Sequence, residues 1–128
     1  MNKQSAQRLK LSLPADLQSA PALLATLCVA YPLFTDEWAL DNPFIAEDGS
    51  FSLHAVWMAF LPFWTRCVHE STAVQVGCVA ALINASVAAG GRADNAVSTC
   101  VLEHAHQVKA VRDLKPALSV EARSRMRA

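Results

Sequence analysis

Apolar positions recur along the chain at helical spacing, and the residues that interrupt them are those that start and stop helices. Ser19-Ala20-Pro21 opens the first segment: Ser19 can cap it, and Pro21 sits in the first turn, where a missing N–H is harmless. Leu23, Leu24, Leu27 and Cys28 share one face, and Pro32 ends the segment after Tyr31. Thr35 can cap a short second helix over residues 36–40, whose acids Asp36 and Glu37 would meet the positive end of the helix dipole. Asn42-Pro43 closes it, Glu47-Asp48-Gly49-Ser50 reads as a turn, and Ser50 or Ser52 can cap the apolar run from Leu53.

Residues 53–68 hold Val56, Trp57, Met58, Phe60, Leu61, Phe63 and Trp64, which makes them a main wall of the core. Pro62 removes a backbone hydrogen bond in their middle and predicts a kink or two helices meeting. Residues 71–89 are apolar nearly all round and stop at Gly90-Gly91; Gly77 and Ala81, four apart, would let another helix approach closely. Asp94 or Asn95 can cap a helix with the stripe Val97, Val101, Leu102, Ala105 and Val108, and with Glu103, His106 and Lys109 on its polar face. Pro116 breaks the chain, and Ser119 can cap a last short helix beginning Val120-Glu121-Ala122-Arg123. No stretch alternates like a strand. The pattern predicts an all-α, single-domain bundle of five or six helices, kinked or broken around Pro62. Residues 1–13 read as a flexible N-terminal arm and 14–128 as the helical domain.

The composition agrees with one domain: 128 residues, 53% hydrophobic and 17% charged, can bury a core large enough to offset chain entropy. Lys+Arg and Asp+Glu are both 11, so no global field attracts nucleic acid or an anionic membrane. The longest apolar stretch is interrupted by Gln75, Asn84 and Ser86 and is built of Ala and Val, which favours a buried helix over a membrane span. The first residues carry Lys3, Arg8 and Lys10 without a signal-peptide pattern, and the expected location is the cytoplasm. Cys28, Cys67, Cys78 and Cys100 lie far apart in apolar stretches and read as reduced thiols.

Four His and four Cys invite a zinc site, but neither C-x-x-C nor H-E-x-x-H occurs. Cys100 and His104 would share a helical face and Cys67 lies near His69, two loose pairs that specify no metal. Burial of Cys78 and Cys100 would raise their thiol pKa and leave them inert. Gly90-Gly91 follows a helix instead of opening one, so it is no phosphate loop. The expectation is a chain with no catalytic residue, metal or cofactor.

Charge is distributed unevenly. From Leu11 to Thr65 there is no Lys or Arg, against six acids. Residues 107–128 hold six basic groups, Lys109, Arg112, Lys115, Arg123, Arg125 and Arg127, against Asp113 and Glu121. This tail lacks the interleaved aromatics of a nucleic-acid surface. The acidic stretch offers Asp36, Glu37, Asp41, Glu47 and Asp48 as charged contacts for a basic partner, with Trp38 and Phe44 as apolar anchors or core residues.

Two segments, Phe51-Ser52-Leu53-His54-Ala55-Val56-Trp57-Met58-Ala59-Phe60 and Asn95-Ala96-Val97-Ser98-Thr99-Cys100-Val101-Leu102-Glu103, together resemble those of a family of small bacterial helical proteins. That family has an acidic Asp-Gly turn before the first segment, here Glu47-Asp48-Gly49, and an Asn…Phe-Leu-Glu-Asn pattern in the second. Here Val101-Leu102-Glu103-His104 replaces the aromatic and the final Asn. The resemblance covers residues 20–125 and implies an immunity protein, of the kind found in contact-dependent growth inhibition systems, that neutralises a co-inherited toxin domain. An acidic surface could occlude a basic, nuclease-like site by mimicking phosphate charge. The alternative is a small nucleic-acid-binding or regulatory module using residues 109–127.

Overall fold

The computed structural model describes residues 13–40 and 42–126. Seven α-helices are present among them: α1 (Ala20–Ala30), α2 (Pro32–Ala39), α3 (Leu53–Cys67), α4 (Ala73–Ala89), α5 (Gly91–Cys100), α6 (Lys109–Asp113) and α7 (Val120–Ser124). The described residues contain no strand, so the all-α single domain holds; the last short helix after Ser119 is present as expected, and the separate five-residue helix α6 raises the count to seven. The arm expected over residues 1–13 lies outside the described residues except for Leu13.

Local chemistry fixes most helix starts. Ser19, Ser52, Thr72 and Ser119 each accept a backbone N–H from the first turn of α1, α3, α4 and α7, and Gln75 completes a capping box by accepting from Thr72 N–H. Pro32 both stops α1 and opens α2, because it cannot donate back into α1 yet is pre-set for a first helical turn. The second helix therefore begins four residues earlier than Asp36. Asp36 and Glu37 lie in its last turn, where their carbonyls accept from Leu40 N–H. The predicted Thr35 cap and the favourable dipole for the acids are thereby corrected.

α3 runs through Pro62 as one helix. An interior proline costs about 3 kcal/mol, but Val56, Phe60 and Phe63 are buried on the opposite side, and each such burial contributes about 1.5–3 kcal/mol. The pyrrolidine ring faces solvent and the helix survives. Around α3 the rings of Tyr31, Phe34, Phe60 and Phe63 meet mostly edge to face at centroid distances of 5.1–6.2 Å. Trp64 Nε1–H donates to the Tyr31 hydroxyl at 2.9 Å, and that hydroxyl donates to Ser71 Oγ at 2.9 Å.

α5 packs against both α3 and α4. It starts at Gly91, not at a cap on Asp94 or Asn95, because Gln18 reaches across: its Oε1 accepts from Ala93 N–H at 2.8 Å and its Nε2 donates to Gly90 O at 2.9 Å. Gly90 and Gly91 hold φ of 70° and 57°, backbone that other residues rarely adopt. α5 ends at Cys100, and the 3-10 turn Leu102–His104 continues the buried stripe without continuing the helix. Cys100 and His104 consequently do not share a helical face: the Cys100 thiol lies against His54 O at 3.8 Å, and His104 Nδ1 pairs with Gln107. Gly77 is exposed, and a Cβ there would meet nothing within 4 Å, so the expected close helix approach does not occur at Gly77.

Candidate partner interface

The acidic stretch forms the C-terminal half of α2 and the loop into α3. Asn42 fixes the exit from α2, its Nδ2 donating to Trp38 O at 3.0 Å and its Oδ1 accepting from Phe44 N–H at 2.9 Å. The following turn is closed by Ala46 N–H to Ser50 O and Gly49 N–H to Ala46 O, both 2.8 Å. Asp48 Oδ1 accepts from Ser50 Oγ at 2.6 Å and Ser50 N–H at 2.9 Å, bonds that hold its carboxyl below the usual range.

Asp36, Glu47 and Asp48 are exposed, and Glu37 is half-buried. Asp41 lies outside the described residues. Phe44 is exposed enough to touch a partner. Trp38 is not: it is buried, with its ring 6.2 Å from Phe34 and 5.0 Å from Phe51, because residues 34 and 38 share the inner face of α2. Its reading as a surface anchor is corrected to a core role.

The flank of α2 that borders α3 carries what pattern reading missed. Leu33 is 71% and Leu40 68% exposed, and Glu37 lies between them at the spacing of one helix face. α3 runs alongside in the opposite sense. Leu40 borders Met58, Ala59 and Pro62 at one end, and Leu33 borders Phe63 and Cys67 at the other. Midway, Arg66 binds Glu37 at 3.0 Å. The result is a seam of two separate apolar depressions on either side of the ion pair, one including Phe44 and the other Glu70. Arg66 is the single Lys or Arg between Leu11 and Gly91, against seven acids. The sequence signal was present in Leu33 and Leu40, seven apart beside the acids.

Two basic groups of the C-terminal segment, Arg112 and Arg125, tie parts of the fold together, and Lys109 makes an exposed pair within its own helix. Lys109 pairs with Asp113 at 2.8 Å, Arg112 Nη1 donates to the carbonyls of Ala105 and His106 at 3.0 Å, and Arg125 binds Asp94 at 3.0 Å. Lys115 and Arg123 are exposed, and Arg127 lies outside the described residues.

All four cysteines are free thiols. Burial pushes Cys67, Cys78 and Cys100 above the ordinary thiol value, away from nucleophile chemistry at neutral pH. No group of three or more His, Cys, Asp or Glu among the described residues is placed to hold a metal ion. Among the described residues, no helix is long and apolar enough to cross a membrane. The chain matches no family model, no curated protein and no solved structure.

Proposed function

We propose that the chain is a non-enzymatic immunity protein that acts in the cytoplasm by binding and neutralising a cognate toxin domain. The observation that carries this reading is an acid set among exposed apolar side chains, within a stretch of chain whose other charged residues are also acids. Glu37 lines one surface depression with Leu40, Phe44 and Met58, Asp36 is exposed next to it in the chain on α2, and Glu47 and Asp48 are exposed in the loop that follows. Such a surface suits a basic protein partner: charge steers association and fixes register, and desolvated apolar anchors supply affinity. A nuclease-like toxin has a basic substrate cleft, and an acidic face on a helical scaffold would occlude it without a catalytic residue. The engagement of Arg112 with the carbonyls of Ala105 and His106, and of Arg125 with Asp94, makes the nucleic-acid reading the weaker one.

The test is co-expression of the tagged chain with the product of the adjacent upstream gene, scored for a stable complex and for rescue of growth. A complex with rescue is expected. Neither complex nor rescue would remove the reading, and salt-sensitive binding of DNA or RNA lost on truncation after Leu114 would replace it.

A further inference from the structure

We infer that the seam between α2 and α3 receives one amphipathic helix of the partner, carrying two apolar side chains seven residues apart and a Lys or Arg midway. The inference rests on the reading that the partner is a basic protein and names the part of it that docks. Leu33 and Leu40 are separated by seven residues of helix and cap, about 10 Å at 1.5 Å per residue. A helix lying along the seam presents side chains at i and i+7 with the same spacing, one toward Leu33 and Phe63 and the other toward Leu40 and Met58. Residues i+3 and i+4 then face Glu37, already held by Arg66 at 3.0 Å across the groove.

Charge selects the sign of that middle residue. Arg66 neutralises Glu37 alone, while the exposed Asp36 next to it adds negative charge; Glu70 at the Leu33 end pairs with His69 at 3.5 Å. An incoming cation shares Glu37 with Arg66 and meets Asp36, whereas an incoming acid would meet like charge.

The probe is a fluorescently labelled helical peptide with Leu at i and i+7 and Lys at i+3 and i+4, titrated with the full chain by anisotropy. The control is the same composition with the leucines five apart. Saturable binding is expected, weakened about tenfold by the register change and about tenfold by either Leu40→Asp or Met58→Asp. Both substituted positions are exposed, and circular dichroism checks that each variant folds. Equal binding of the two peptides with salt sensitivity alone would reduce the seam to a charge effect and overturn the inference, and so would no binding at all. The same variants assayed for growth rescue separate the two readings. Rescue that survives Leu40→Asp and Met58→Asp leaves the immunity reading intact and removes the seam. Register-specific peptide binding without rescue by the parent chain keeps the seam and removes the toxin.

Discussion

Glu37 on α2 and Arg66 on α3 form an ion pair of 3.0 Å that crosses an apolar seam, with the Arg66 side chain 59% and the Glu37 side chain 39% exposed. So open a pair contributes at most about 1 kcal/mol to stability. Its position therefore bears on binding more than on folding: it places a carboxylate between two exposed leucines.

Reversing both acids, Asp36→Lys with Glu37→Lys, is expected to abolish capture of a basic partner while shifting the melting temperature only slightly. The replacement lysine at 37 would face Arg66, a repulsion that solvent screens at this exposure. Isothermal titration against the partner, with thermal melts of both proteins, makes the check. Unchanged affinity would remove the acidic face from the interface.

The Tyr31 hydroxyl joins three elements: it accepts from Trp64 on α3 and donates to Ser71 ahead of α4, both at 2.9 Å. Trp64 is only 1% exposed, so Tyr31→Phe leaves its indole N–H buried without a partner. Such an orphan costs about 1–3 kcal/mol. Urea unfolding should show that loss, and the double variant with Trp64→Phe should lose less than the sum of the single changes, because no orphan donor remains. Additive losses would mean that the two side chains act independently.

Elements specified by neighbours in sequence were legible, and those specified across the fold were not. Ser19, Ser52 and Ser119 act as the caps their positions indicate, and Gly90 ends α4. Pro32 was legible as a stop but not as a start, which displaced α2 by four residues and left Leu33 outside the expected helix. That displacement hid the seam, since Leu33, Glu37 and Leu40 form a row only when the helix begins at Pro32. The acids were legible because charge needs no register. Trp38 had two readings until the inner face of α2 was known, and α5 begins where a glutamine distant in sequence caps it.

That glutamine gives the next expectation. Gln18→Ala removes both bonds that tie the start of α5 to the segment before α1, from Ala93 N–H and to Gly90 O. Losing an N-terminal cap costs about 0.5–2 kcal/mol. Amide exchange should accelerate first at residues 91–94, while amides in the middle of α3 keep their protection. Uniform acceleration throughout the chain would show that Gln18 acts on global stability and not as a local cap.

Asp94 links α5 to the end of α7 and carries a pH signature. The Arg125 hydrogen bond to its carboxylate, 3.0 Å, lowers its pKa most; burial opposes that, and Ser98 Oγ, donating at 2.7 Å, and the Arg125 charge add to the lowering. Its folded pKa is consequently lower than its unfolded one. A depressed carboxylate stabilises the fold fully above the unfolded value, near pH 4, and the contribution disappears as pH falls through the depressed folded value. Asp94→Asn should therefore be less stable than the parent at neutral pH, and the gap should narrow only when the pH drops below about 4. Urea midpoints of both proteins from neutral to acid pH make the comparison, with Arg125→Met as a second way to remove the pair. A gap that stayed constant into acid would assign the effect to the shape of the side chain and not to its charge. A gap that widened would require a folded pKa raised above the unfolded one, contrary to a carboxylate held by a guanidinium.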